Sequence, residues 1–199
     1  ASDLVDADAL IVRSATKVTE AVIERAEALR AVGRAGAGVD NIDINAATRR
    51  GIVVMNTPGG NSVSTAEHSV AMMMAVARNV PRATASMKAG IWEKSPFTGI
   101  ELAGKTVAVL GMGRVGREVA ARANGLGMRV LGYDPFMTDE TIQSYGTQPA
   151  GLEQIWAEAD VLTFHLPLTP QTKHYLSTEQ LAQCKNGVRV INCARGGIV

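Results

Sequence analysis

The chain has 199 residues, 46% of them hydrophobic, with 20 Lys+Arg against 19 Asp+Glu and a net charge of +1. That is enough for a buried core in one or two domains, and the near-zero charge with no basic run beyond Arg49 and Arg50 argues against nucleic acid as a partner. No apolar run reaches the ~20 residues that cross a bilayer, so no membrane partner is expected either.

Composition narrows the class further. The opening ASDLVDADALIV has neither a basic n-region nor a cleavage site. Cys184 and Cys193 lack CxxC or metal-ligand spacing, so free, mostly buried thiols in a cytoplasmic protein without a metal site are expected. Aromatics are only 4% while 20 residues are glycine, which favours closely packed α/β layers.

In chain order, ALIVRS (9–14) predicts a buried strand, and TEAVIERAEALR (19–30) an amphipathic helix capped by Thr19. AVGRAG (31–36) predicts a second strand, IDINAATRRG (42–51) a short helix stopped by Gly51, and GIVVMNT (51–57) a third strand. Pro58, Gly59 and Gly60 break the pattern, and a domain boundary is placed there: 1–58 forms one lobe and 59–199 the other. A long helix, 62–80, is expected to end at Pro81. Residues 82–104 show weak periodicity and read as irregular, with two exposed aromatics. The methionines of AMMMAVARN (71–79) are expected to be core.

A second α/β series follows. KTVAVL (105–110) is a strand, 116–127 a helix and MRVLGYD (128–134) a strand. Residues 143–160 hold one short helix, VLTFHLP (161–167) is a strand, 177–184 a short helix and VRVINCA (188–194) a buried strand. Strands separated by helices imply parallel pairing with right-handed crossovers.

GMGRVG places Gly111, Gly113 and Gly116 as GxGxxG after a strand and at the start of a helix, the context this otherwise weak pattern needs. The first glycine permits the turn, the second the approach of a pyrophosphate, and the third close helix–strand packing. Asp134 sits at the tip of the next strand, about 20 residues on, where a carboxylate accepts ribose hydroxyls and repels a 2′-phosphate. NAD is therefore the expected cofactor. Arg114 would lie beside the phosphates.

FHLPLTPQTKHYLS (164–177) and VRVINCARGGIV (188–199) closely resemble the signatures of the D-isomer-specific 2-hydroxyacid dehydrogenases. Residues 11–19, 32–62 and 84–93 resemble the branch of that family acting on a phosphorylated acid, so the likeness spans the chain. It implies an α/β fold of two doubly wound Rossmann-like lobes with parallel sheets, both incomplete here: an N-terminal strand and the C-terminal strands are expected to be missing. It also implies hydride transfer between a 2-hydroxy acid and NAD. Arg195 takes the family's place for the arginine that binds the substrate carboxylate, and Val115, Leu166, Cys193 and Ala194 join the cofactor contacts. The family's histidine–glutamate pair is expected downstream of Val199, which would leave this chain alone without turnover. His68 is expected to pack or cap, His165 to position and His174 to be solvated.

Arg13, Ser14, Arg34 and the loop with Gly36 and Gly38 fall at carboxyl ends of strands, where α/β sheets place ligands. Two arginines suit a phosphorylated 2-hydroxy acid, with Gly36 and Gly38 offering amides and Asn61 reaching the phosphate. Ala37 stands where the family more often has threonine, so only backbone contact to the cofactor is expected there. The stretch 92–97 resembles the family's arm around a second subunit, implying a homodimer or homotetramer. A glyoxylate or hydroxypyruvate reductase and an NAD(H)-binding module without turnover remain alternatives.

Overall fold

The structure is a computed structural model that describes residues 4–199. Backbone contacts divide it into two units, one ending at Asn61 and the other running Ser62–Val199.

The first unit is a three-stranded parallel sheet in the order β1-β2-β3, from β1 (Ala9–Val12), β2 (Ala31–Arg34) and β3 (Val53–Asn56), with α1 (Glu20–Arg25) and α2 (Ile44–Arg49) as crossovers. Strand residues alternate in direction. Val12, Val32 and Val54 thus face one way, and they form one apolar cluster with Ile23 of α1 and Ala46 and Ala47 of α2. The opposite face pairs Ile11 with Gly33 and Gly33 with Met55. There Ile11 is 82% exposed and Met55 53%.

The second unit is a five-stranded parallel sheet in the order β6-β5-β4-β7-β8: β4 (Thr106–Leu110), β5 (Arg129–Tyr133), β6 (Gln148–Pro149), β7 (Val161–Phe164) and β8 (Arg189–Asn192). Its helices are α3 (Ser62–Ala77), α4 (Val80–Lys88), α5 (Arg114–Gly125), α6 (Asp139–Ser144), α7 (Leu152–Glu158) and α8 (Thr178–Leu181). Both faces of the sheet are covered. Val107, Val109 and Val130 pack with α3 and α5, whereas Ala108, Leu110 and Leu131 pack with Ile155 and Trp156 of α7. A strand covered on both sides should be continuously apolar, and β4 and β7 are buried along their whole length.

Several expectations are corrected. Pro81 does not end the long helix. Asn79, at φ 55°, breaks it after Ala77, and Pro81 sits in the first turn of α4, where its missing N–H costs nothing. Residues 82–88, expected to be irregular, are therefore helical. α1 stops at Arg25, and Thr19 holds its N-cap position without a side-chain hydrogen bond. α6 and the two-residue β6 were not predicted, because the Thr138 cap, which accepts from Thr141 N–H, opens a helix of only six residues. Of the three consecutive methionines only Met73 is core, since Met72 and Met74 are 43% and 41% exposed. Neighbours on a helix point about 100° apart, so three in a row cannot share one face. β8 is an edge strand with only Ile191 buried, and both cysteines are partly exposed.

Candidate active site

In the second unit, the carboxyl ends of β4, β5, β7 and β8 deliver the expected cofactor residues. Gly111 leaves β4 at φ +96°, its N–H donating to Tyr133 O at 2.8 Å. A Cβ there would meet the carbonyl oxygen of His165 at 2.6 Å, so the ends of β4 and β7 approach closely at a position only glycine fits. This is the switch in strand order where open α/β sheets place ligands. Gly113, the N-cap of α5, has nothing within 4 Å of where a Cβ would be. Gly116 is the reverse case, since its Cβ would collide with Gly111 O and reach Val109 Cγ1 at 3.3 Å. The loop is open where a pyrophosphate would approach and closed where the helix meets the strand, which fits NAD on the grounds of shape.

Asp134 follows β5. Its Oδ2 accepts Met112 N–H and its Oδ1 accepts Phe136 N–H, both at 3.0 Å. A carboxylate offers about four acceptor sites, so two hydroxyls can still be received. Arg114 is exposed at the start of α5, beside partly buried Val115. Arg117, one turn on, donates from Nε to Gly113 O at 3.3 Å and lies 4.9 Å from the Tyr145 ring centroid. It braces the loop from behind.

Leu166 is 9% exposed within the apolar cluster, and its Cδ2 lies 3.0 Å from the Gly111 Cβ position. Its side chain thus supports the turn, leaving the backbone for any cofactor contact. His165 is partly buried and shares a hydrogen bond of 3.0 Å between Nε2 and Thr163 Oγ1. Burial pushes it down to about 4, so it is neutral at pH 7. His68 is exposed on α3 rather than packed, and His174 is exposed at φ 53°.

Cys193, Ala194 and Arg195 form the loop after β8. Asn192 braces it from both sides, Oδ1 accepting Ala194 N–H at 3.1 Å and Nδ2 donating to Arg195 O at 2.9 Å. The Arg195 guanidinium, partly buried, donates from Nη1 to Ala194 O at 2.8 Å. A planar fork in that setting suits bidentate carboxylate binding.

In the first unit, Arg34 ends β2. Its Nε donates to Asn41 Oδ1 at 3.1 Å and its Nη2 to Ser14 Oγ at 3.3 Å. The guanidinium lies against Gly36, whose Cβ would sit 3.0 Å from Arg34 Cζ. Ser14, Arg34 and Gly36 are therefore brought together, and exposed Arg13 is tied to them through its carbonyl, which accepts Asn41 Nδ2 at 3.0 Å. Ala37 O accepts Asn56 Nδ2 at 2.6 Å and Gly36 O accepts Thr57 N–H at 3.1 Å, which fixes the loop carrying Gly38. Asn61 is exposed after the turn at 57–60. Asn41 and Asn192 escaped the sequence reading, since an asparagine beside a strand end gives no signal of which carbonyls it will span. Among the described residues no group of three His, Cys, Asp or Glu could hold a metal, and no helix is long and apolar enough to cross a membrane.

Residues 70–199 match the family model "D-isomer specific 2-hydroxyacid dehydrogenase, NAD binding domain", and the chain belongs to that family. It is 58% identical to D-3-phosphoglycerate dehydrogenase of Pongo abelii over 198 residues, covering 100% of this chain and 37% of the relative. With the enzyme of that name from Bacillus subtilis the identity is 49%, over 96% of this chain and 37% of the relative. The chain thus spans little more than a third of the curated relatives it matches. Among solved structures, NAD+-bound 3-phosphoglycerate dehydrogenase of Entamoeba histolytica superposes with a TM-score of 0.82 at 37% identity, covering 100% of this chain and 59% of that one. D-lactate dehydrogenase of Aquifex aeolicus, complexed with NAD and lactic acid, gives 0.88 at 31%, covering 100% and 60%.

Proposed function

We propose that this chain is part of an NAD-dependent enzyme that oxidises D-3-phosphoglycerate to 3-phosphohydroxypyruvate, the first step of serine biosynthesis, in the cytoplasm. The observation that carries the substrate is Arg34 bonded to Ser14 at the strand ends of the first unit, with exposed Arg13 next to Ser14 in the chain. Two arginines with a hydroxyl suit a phosphate dianion and exceed what lactate or glyoxylate would need. The similarity to dehydrogenases of that name supports the same reading.

The roles follow from the chemistry of each group. Gly111, Gly113 and Gly116 with the N-terminus of α5 hold a pyrophosphate by backbone amides and the helix dipole. Asp134 receives the ribose hydroxyls and disfavours a 2′-phosphate. Bound NAD supplies the hydride acceptor. Arg195 binds the substrate carboxylate and draws electron density from the C2 oxygen, held in place by the loop that Asn192 braces. His165, neutral and bonded to Thr163, positions the β7 loop. Exposed Met87, Ile91 and Trp92, the last 71% exposed, support association with a second copy as homodimer or homotetramer.

The test is NADH formation at 340 nm with D-3-phosphoglycerate by the full-length protein, comparing the wild type with an Arg13→Ala, Arg34→Ala double variant. Losing two charged contacts of ~1.5–3 kcal/mol each should raise the Michaelis constant at least ~100-fold. An unchanged constant would remove the phosphate assignment, and equal use of glyoxylate would point to a reductase instead.

A further inference from the structure

The strongest unexplained feature is the side chain of Asn41. It lies in the loop that leads into α2, within the stretch 32–62 but without a role assigned above. Its single amide group touches the Arg34 side chain at the end of β2 and the loop that follows β1. Oδ1 accepts Arg34 Nε at 3.1 Å, while Nδ2 donates to the carbonyls of Arg13 at 3.0 Å and Thr16 at 2.6 Å. The backbone around it is tied down as well: Val18 N–H donates to Asn41 O and Asp43 N–H to Val18 O, both at 2.8 Å. Asn41 is partly buried, and Asp43 caps α2 by accepting Ala46 N–H at 2.9 Å.

We infer that Asn41 is a positioning residue that sets the phosphate selectivity of the site by fixing the Arg34 guanidinium and the Arg13 backbone through one amide. This rests on the substrate reading above and deepens it. A guanidinium on a free side chain samples many rotamers and loses ~2 kcal/mol of entropy when immobilised. Arg34 is held at Nε by Asn41 and at Nη2 by Ser14, with Cζ 3.0 Å from where a Gly36 Cβ would be. The fork is therefore oriented before any anion arrives. The acceptor on Nε is a neutral amide. A carboxylate there would pair with the guanidinium and compete with the ligand, and a leucine would leave Nε–H unmet. Asparagine alone among side chains of this size supplies one acceptor and two donors, matching the three groups around it.

The experiment measures binding of D-3-phosphoglycerate and of D-glycerate to the NAD-loaded protein by calorimetry, for the wild type, Asn41→Ala, Asn41→Asp and Arg34→Ala. In Asn41→Ala the phosphorylated acid should bind ~10-fold more weakly, with the affinities for D-glycerate and NAD unchanged. Asn41→Asp, nearly isosteric, keeps the acceptor and should weaken the phosphorylated acid at least as much, because its charge engages Arg34. Adding Asn41→Ala to Arg34→Ala should change selectivity no further. A purely structural role would lower both ligands together or lower only the melting temperature, and either result overturns the inference. So does an Asn41→Asp variant with wild-type selectivity. A wild type that does not prefer the phosphorylated acid overturns the substrate reading itself, a separate outcome visible before any variant is compared.

Discussion

The Asp134 carboxylate accepts the backbone N–H of Met112, the residue between the first two glycines of the loop, at 3.0 Å. One side chain at the end of β5 therefore holds the turn at the end of β4 while keeping acceptor sites for a ribose. Asp134→Ala should lose ~1.5–3 kcal/mol of NAD binding, about ten- to a hundredfold. It should also narrow the preference for NAD over NADP. Calorimetric titration of both dinucleotides checks this, and an unchanged ratio would detach Asp134 from ribose recognition.

The second and third glycines should separate binding from folding. Gly113 has open space around its Cβ position and an ordinary φ of −63°, so Gly113→Ala should leave the melting temperature nearly unchanged while weakening NAD. Gly116→Ala drives a methyl into Gly111 O. Overpacking of that kind costs ~1–3 kcal/mol, a fall of ~2–12 °C in melting temperature for a unit of this size. Thermal unfolding of both variants without cofactor distinguishes the two.

His165 predicts a pH dependence. Burial lowers it to about 4, whereas an unfolded histidine titrates near ~6.5. Between those values the unfolded chain binds the extra proton, so the contribution of this group is full above ~6.5 and is lost as pH falls toward 4. From pH 6.5 to pH 5 the loss should be ~2 kcal/mol. Urea unfolding at several pH values should show that slope in the wild type and a flatter one in His165→Gln.

Asn192 predicts a local effect. Its Oδ1 is the acceptor for Ala194 N–H, and its Nδ2 holds Arg195 O. In Asn192→Ala the amide of Ala194 should exchange with solvent ~10-fold faster while the amides of β4 remain protected. Amide exchange read residue by residue would show it.

The strands, their parallel pairing and the glycine loop were legible because each has a periodic or positional signature. Continuous apolar runs such as TVAVL mark strands covered on both faces, and three spaced glycines before a helix mark a phosphate loop. Helix ends were less legible. Asn79 in a left-handed conformation decides where α3 stops, and Pro81 reads equally as a terminator or as the first turn of a new helix. At the site, Arg13 and Arg34 were visible as charges at strand ends. The amide bridge of Asn41 was not, because it joins the loop of 13–16 to a residue 25 or more positions away. That proximity is created by the parallel sheet and is absent from any local pattern.

One feature of the first unit bears on handling. The row of Ile11, Gly33 and Met55 leaves an apolar strip on the uncovered sheet face, and Gly33 puts a shallow trough in its middle. Water over such a strip is released when a flat aromatic dye settles there. A solution of this chain should therefore enhance the fluorescence of anilinonaphthalene sulfonate while fully folded. Dye binding would then be misread as a sign of unfolding unless Ile11→Lys is run beside it.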